Sequence, residues 1–261
     1  MAKTLGLALG AGGSRGVAHI GFLKALEENG IKPDYIAGSS MGSVVGACYA
    51  SGMSPDAMCE EVYKLKFSDI FDPAMNPLGS AALLRAKKMR KKLDSYLKDL
   101  VFDDLKIPFC AVAVDVVTGN IKIFSGQDSV SEGVAASSSI PCIFRPVHKD
   151  DMVLVDGGIK CRVPIDEVRS MGADIVVGID VLGKTRICDK KYNILTLMLR
   201  FLDIVDGELT SHKLIEQKPD LFIEPDLGDM SQYKFKDIDK AVESGYKCGK
   251  EYAPKILELL K

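Results

Sequence analysis

The chain has 261 residues, of which 47% are hydrophobic and 27% are charged, a composition ordinary for one globular α/β domain with a buried core. The formal net charge of -2 gives no indication of a nucleic-acid partner, and no stretch approaches the roughly 18 apolar residues that span a bilayer. The N-terminus runs almost directly into a strand and leaves no room for an export signal. We therefore expect a single cytoplasmic domain over residues 1–261, with peripheral contact to a membrane as an option.

The first predicted elements are a strand at Leu5–Leu9 and a helix, joined by the glycine-rich segment 10–16. This segment is not a dinucleotide-binding G-x-G-x-x-G motif, because Arg15 stands where the third glycine is needed, and no G-K-[ST] closes it as a P-loop. The unobstructed N–H groups of Gly12 and Gly13, next to a helix N-terminus, can bind an anion, including the transient anion of acyl transfer. A tight turn that serves packing alone is the alternative.

A second strand leads into Gly-Ser-Ser-Met-Gly at 38–42, which opens a second helix. G-x-S-x-G between a strand and a helix is the pattern of a nucleophile elbow, which projects Ser40 Oγ above the sheet edge. Gly38 and Gly42 permit close approach of the backbone there. The helix N-terminus at Met41 presents N–H groups that suit a developing oxyanion. The alternative is a small-residue turn in which a serine only caps the helix.

The middle of the chain predicts another helix opened by Ser54 and Pro55, a surface loop at 69–80, and a basic helix that includes Arg85–Lys92. Six of these eight residues are basic and lie next to apolar positions at helical spacing. This pattern favours transient contact with an anionic membrane surface. A solvated helix face balanced by nearby aspartates is at least as consistent with it.

Two strand-like runs at 109–114 and 121–124 flank Val117-Thr118-Gly119-Asn120 and predict a hairpin. The alternation of strands and helices before it predicts a parallel sheet, so the whole sheet is predicted to be mixed. Several later runs are continuous and rich in Val and Ile, as in strands covered on both faces. These further predicted strands are 152–155, 175–181 and 221–223.

A base for the serine is expected at the carboxyl end of a strand, and Asp156-Gly157-Gly158 follows the strand at 152–155. The three histidines lack that setting: His19 lies within the first helix, His148 in a polar turn, and His212 after a long helical stretch. Asp156 is therefore the favoured base, with a simple D-G turn as the alternative. The apolar stretch 192–204 is interpreted as core packing in preference to an acyl pocket or an oligomer contact.

These motifs, in this order, resemble those of the patatin-like phospholipase family, in its bacterial acyl-hydrolase form. That family has a glycine-rich loop ending in x-R-G, here Arg15-Gly16, then a G-x-S-x-G serine and an aspartate in D-G-[AG]. The resemblance covers about residues 5–180. It implies a three-layer α/β/α fold with a mostly parallel central sheet.

The resemblance also implies the site residues. Ser40 and Asp156 correspond to a dyad that works without histidine, and Arg15 and Gly16 to residues that support the loop. Where family members often have D-G-G-G, this chain has Ala11 after Gly10, so Ala11 is left out of the predicted oxyanion hole. The oxyanion hole is assigned to the N–H groups of three residues: Gly12, Gly13 and Met41.

The resulting hypothesis is a serine acyl hydrolase that cleaves fatty-acyl esters of phospholipids, lysophospholipids or related lipids through an acyl-enzyme, with no metal and no organic cofactor. Two alternatives stay open at the sequence level. One is a Ser–His–Asp esterase of the α/β-hydrolase type, and the other is a non-catalytic lipid- or anion-binding module. The sequence gives no indication of the oligomeric state.

Overall fold

The computed structural model describes residues 3–64, 82–84, 87–183 and 193–261. The predicted loop at 69–80 lies outside these residues. The strands, numbered in chain order, are β1 (Leu5–Leu9), β2 (Tyr35–Ser39), β3 (Ala82–Leu84), β4 (Phe109–Asp115), β5 (Ile121–Phe124), β6 (Cys142–Phe144), β7 (Val147–Lys149), β8 (Met152–Asp156), β9 (Ile175–Ile179) and β10 (Leu221–Ile223).

The α-helices surround these strands, and short 3₁₀ turns at Gly13–Val17 and Gly157–Ile159 connect them near one end of the sheet. The helices are α1 (Ala18–Glu28), α2 (Met41–Ala50), α3 (Pro55–Lys64), α4 (Lys87–Leu97), α5 (Val130–Ser137), α6 (Ile165–Ser170), α7 (Ile194–Gln217) and α8 (Ile238–Leu259). In the part of the chain that the structure describes, no helix is both long enough and apolar enough to span a membrane.

The main sheet has the strand order β10-β9-β1-β2-β4-β8-β7, and β5 pairs with β4 as well. The pairs β10–β9, β9–β1, β1–β2 and β2–β4 are parallel, whereas the pairs β4–β5, β4–β8 and β7–β8 are antiparallel. The predicted hairpin is confirmed as the β4–β5 pair, and the mixed, mostly parallel sheet is confirmed with it. β3 and β6 form a separate parallel pair.

Helices cover both faces of the sheet. Side chains on neighbouring positions of each strand point to opposite faces, so each face buries its own set of apolar side chains. On β1, Leu5, Leu7 and Leu9 pack in the larger core with residues of α1, α2 and α8. Ala8, on the opposite face, packs in a second cluster with Val168 of α6. These two apolar layers confirm the three-layer α/β/α architecture that the resemblance implied.

Candidate active site

The sheet register brings the ends of β2 and β8 together on β4. Ser39, the last residue of β2, pairs with Val112, and Asp156, the last residue of β8, pairs with Ala113. Both strands lie on the same edge of β4, because β5 occupies the other edge along residues 111–114. Since Val112 and Ala113 are consecutive and β8 runs opposite to β2, the two strands end facing each other.

Ser40 lies at the junction between β2 and α2 in a strained backbone conformation. Its φ is 52° and its ψ is -124°, a region that non-glycine residues rarely occupy. A Cβ on Gly38 would overlap the backbone of Ser43, and a Cβ on Gly42 would overlap the carbonyl of Leu9. The two glycines of the motif are therefore required by close packing of the elbow.

The hydroxyl of Ser40 donates a hydrogen bond to Asp156, with 2.5 Å between Oγ and Oδ2. The other carboxylate oxygen, Oδ1, accepts from the N–H of Gly158 at 2.8 Å, which fixes the carboxylate plane. The Ser40 N–H donates to Ser137 Oγ at the end of α5. Ser40 and Asp156 are only 4% and 5% exposed, so the pair is largely shielded from water.

Burial changes the acid–base properties of Asp156. Desolvation raises the pKa of this carboxyl to about 7, while the hydrogen bonds from Ser40 and Gly158 oppose the rise and the charge of Asp206 adds to it. A carboxylate with a pKa near 7 is a far better proton acceptor than one at its ordinary value. The buried setting thus provides the dry environment that a lone aspartate base needs.

The glycine-rich loop places free N–H groups opposite this pair. Within the described residues, the N–H groups of Gly12 and Gly13 have no hydrogen-bond acceptor, and both glycines line a cavity of about 70 Å³ with Ser40 and Asp156. The N–H of Ala11 donates instead to the carbonyl of Arg162 at 2.9 Å. This hydrogen bond occupies the Ala11 N–H, which is why Ala11 is left out of the oxyanion donors.

Gly13 and Met41 complete the predicted oxyanion set. Gly13 has a φ of 51°, and a Cβ there would overlap the carbonyl of Gln232, so a glycine is needed on both counts. The N–H of Met41 is the first of α2, and in the described part of the chain it has no acceptor either. Both residues line a further cavity next to Ser40.

Arg15 and Gly16 lie behind the loop. The guanidinium of Arg15 is fully buried and donates to the carbonyls of Val181 and Met230 at 2.7 and 3.0 Å, where desolvation lowers its pKa. It holds the glycine-rich loop against the two later segments that contain Val181 and Met230. Gly16 contacts Met41 so closely that a Cβ would overlap the Met41 side chain.

All three histidines lie in the described part of the chain. His19 is fully buried and bonds the carbonyl of Gly10 through Nε2 at 2.8 Å, and burial lowers its pKa to about 4. His148 and His212 have exposed side chains. None of them forms a hydrogen bond with Ser40 or Asp156.

A charged network that no sequence motif indicated lies beside Ser40 and Asp156. Arg162 donates to Asp206 on α7 at 2.5 Å and to Asp180 after β9 at 3.2 Å, and all three are at least nine-tenths buried. Next to them Asp203 accepts from Tyr233 and Gln232, whose side chains line the cavity. Arg162 follows the D-G-G motif by only a few residues, which was the one available signal.

The apolar stretch 192–204 was interpreted as core packing, and the structure shows that interpretation to be wrong for most of it. Tyr192 lies outside the described residues. Of the others, Leu199 is buried at 4%, whereas Ile194, Met198 and Phe201 are 82%, 47% and 57% exposed. Leu199 and its half-exposed neighbour Leu202 line the catalytic cavity. The helical spacing was correct, but the apolar side of α7 faces solvent and the cavity mouth.

A serine at a strand–helix elbow of an α/β sheet, beside a glycine-rich loop, is an arrangement typical of serine hydrolases. The chain belongs to the patatin-like phospholipase family, whose model matches residues 7–169. The predicted family is thereby confirmed.

Curated relatives agree with this assignment. The chain is 30% identical to an uncharacterized NTE family protein of Mycobacterium tuberculosis over 93% of its length and 45% of that protein. It is 32% identical to mouse patatin-like phospholipase domain-containing protein 6 over 69% of its length and 14% of that protein. The chain thus spans about half or less of these relatives.

Among solved structures, VipD from Legionella pneumophila is similar in fold. The TM-score is 0.61 at 14% sequence identity, with 97% of this chain and 67% of that chain covered. At this identity the likeness extends to the fold alone.

Proposed function

We propose that this protein is a serine acyl hydrolase that cleaves fatty-acyl ester bonds of lipids through a Ser40–Asp156 dyad. The observation that carries the proposal is the 2.5 Å hydrogen bond from Ser40 Oγ to a buried carboxylate, next to N–H groups that have no acceptor among the residues that the structure describes. Nucleophile, base and oxyanion donors are the three groups that acyl transfer requires.

In the first step, Ser40 Oγ attacks the ester carbonyl while Asp156 accepts its proton. The N–H groups of Gly12, Gly13 and Met41 stabilise the resulting oxyanion. As the tetrahedral intermediate collapses, the carbon–oxygen bond to the alcohol breaks and Asp156 returns the proton to the leaving oxygen. Water then attacks the acyl-enzyme carbonyl while Asp156 accepts a proton from it. The ester bond to Ser40 breaks, Asp156 returns the proton to Ser40 Oγ, and the fatty acid is released.

A fluorophosphonate probe tests the proposal directly. We expect covalent mass gain at Ser40 and loss of hydrolysis of p-nitrophenyl and lysophospholipid esters in Ser40→Ala and Asp156→Asn. The matched control is Ser39→Ala, since Ser39 is also buried and its hydroxyl has no hydrogen-bond partner among the described residues. A folded protein that is neither labelled nor active on any ester would show that the chain is a binding module.

Membrane contact through the basic stretch Arg85–Lys92 is a second, separate proposal. The structure describes its last three side chains: Arg90 and Lys91 are exposed, and Lys92 forms an ion pair with Glu61 at 2.5 Å. These two exposed cations on α4 support attraction to anionic lipid. The double change Arg90→Glu and Lys91→Glu is expected to reduce co-sedimentation with phosphatidylglycerol vesicles, and unchanged binding would exclude this surface.

A further inference from the structure

A second cavity, which the proposed mechanism does not use, lies between α2, α3 and α4. Its volume is about 130 Å³, and its walls are almost entirely apolar. Four residues of α2 form one side: Met41, Val44, Val45 and Cys48. Their spacing places them on one face of the helix, opposite Val62 of α3 and Leu93 of α4.

This apolar cavity adjoins a smaller one that reaches Ser40. A smaller cavity of about 60 Å³ is lined by Ser40 at one end and shares Met41, Val44 and Phe235 with the apolar cavity at the other. Because α2 begins directly after Ser40, the apolar wall extends from the serine to Cys48, about 10 Å along the helix axis.

The opposite side of the catalytic cavity has different chemistry. A polar cavity of about 290 Å³ is lined by Arg162, Arg200 and Glu208, and it shares Asp203 and Gln232 with the catalytic cavity. Asp156 lines the catalytic cavity but not the cavity that leads along α2. The two halves of an ester thus meet unlike surroundings on the two sides of Ser40.

We propose that the cavity along α2 is the acyl-chain subsite, and that the alcohol portion of the substrate faces Asp156 and the polar cavity. This inference rests on the proposed acyl-hydrolase function and adds the orientation of the substrate. An apolar chain gains free energy when it leaves water for apolar walls, while a polar head group retains its partners on the other side. The leaving oxygen then lies beside Asp156, which holds the proton taken from Ser40.

One part of the wall of the acyl-chain subsite is polar, and we expect it to limit the length of the chain that fits. Glu61 accepts from Lys92 and from Tyr96 Oη, each at 2.5 Å, and all three line the cavity. These hydrogen bonds lower the pKa of Glu61 to about 2, so the carboxylate is ionised at neutral pH. A chain long enough to reach this ion pair would have to displace it, and the gain per methylene ends there.

A series of p-nitrophenyl esters from butyrate to palmitate tests the subsite. Each buried methylene is expected to raise kcat/KM about fourfold until the acyl chain meets Glu61, Lys92 and Tyr96. Val62→Phe fills the cavity and is expected to lower the ratio of kcat/KM for octanoate over butyrate by about tenfold. The same substitution on the exposed residue Val116 is the matched control and leaves the ratio unchanged.

Met53→Ala provides a test in the opposite direction, because Met53 lines the cavity and is only half-buried. It is expected to shift the preference toward longer esters, and it decides the question if Val62→Phe does not fold. Ester hydrolysis with no chain-length response in either variant would overturn the subsite while leaving the proposed function intact.

If the wild-type protein hydrolyses no ester, the proposed function fails and the cavity is tested by binding alone. A dansyl-labelled fatty acid is expected to bind the Ser40→Ala protein, with binding weakened at least tenfold when Val62→Phe is added. Equal binding by both proteins would overturn the subsite independently of catalysis.

Discussion

Asp156 is held in surroundings that disfavour its charged form. Because burial raises its pKa to about 7, a base that must be ionised to accept the Ser40 proton is only partly available at neutral pH. We expect kcat/KM for an uncharged ester to rise with pH through about 7 and then level off. An activity that is flat between pH 5 and pH 8 would contradict this role.

The same pKa predicts a stability effect with a definite sign. The folded-state pKa lies above the ordinary value of 3.8, so the folded protein binds the extra proton between about pH 4 and pH 7. The unfolding free energy therefore falls as pH rises through that window. Asp156→Asn removes this term. We measure the unfolding free energy of both proteins in urea at pH 5 and pH 8. The value for the variant minus that for the wild type is expected to be about 3 kcal/mol higher at pH 8 than at pH 5.

Gly13 allows the oxyanion hole to be tested separately from the dyad. Gly13→Ala forces a side chain into a left-handed conformation and against the carbonyl of Gln232, which displaces its N–H. We expect kcat to fall about 10²-fold with a small change in KM. Gly30→Ala is the control, since Gly30 has a similar φ of 71° with nothing within 4 Å. It is expected to cost about 1 kcal/mol of stability and no activity.

At the scale of single residues, the sequence predicted those that a motif identifies and missed those that depend on register. Ser40 and Asp156 stand in recognisable patterns after strands. Ser137, whose hydroxyl accepts the Ser40 N–H, lies in the segment 136–141 that shares the family resemblance but received no predicted role, and Tyr233, which lines the cavity, lies far from both motifs in the chain. No local pattern indicates that they converge on the site.

At the scale of elements, Arg162 connects three parts of the site. Its carbonyl accepts from Ala11 in the glycine-rich loop, and its guanidinium binds Asp180 after β9 and Asp206 on α7. The long helix α7, with its exposed apolar side, is thereby fixed to the segment that follows Asp156. The sequence predicted this helix but assigned its apolar side to the core, because spacing alone does not tell which side of a helix is covered.

Arg162→Met is expected to lower the unfolding free energy by about 3 kcal/mol, because two buried carboxylates lose their cation. Arg169→Met is the matched control: Arg169 is 38% exposed and its ion pair with Asp220 measures 3.9 Å. That variant is expected to change stability by about 1 kcal/mol or less. Chemical denaturation measures the unfolding free energy of both variants. Equal losses would mean that the buried network stabilises the fold no more than an exposed ion pair does.

At the scale of the whole molecule, the predicted strands and helices account for the layered architecture, and the confirmed hairpin accounts for one of the three antiparallel pairs that make the sheet mixed. The sequence could not predict that β2 and β8 share one edge of β4 and end against each other. That arrangement depends on which of several possible long-range strand pairings forms, because the apolar pattern of one strand is compatible with several neighbouring strands. It is nevertheless the feature that joins Ser40 to Asp156.

The contact between α1 and α8 links the C-terminal helix to the site, because α1 follows the glycine-rich loop directly. The two helices approach so closely that a Cβ on Gly245 would overlap the carbonyl of Ala18, and a Cβ on Gly21 would overlap that of Val242. Small residues at this crossing are therefore a packing requirement. His19, on the same helix, bonds the carbonyl of Gly10 at the start of the loop.

Gly245→Ala tests this crossing by the sign of its effect. An alanine inside a helix ordinarily stabilises it by up to about 1 kcal/mol relative to glycine, but here the overlap is expected to cost about 2 kcal/mol. For a domain of this size the melting temperature should fall by about 5 °C. Gly207→Ala on α7 is the control, since its Cβ would make only an ordinary 3.7 Å contact with Arg162, and it is expected to raise the melting temperature. A rise in both variants would mean that α1 and α8 can separate without cost, and that the C-terminal helix does not hold the loop in place.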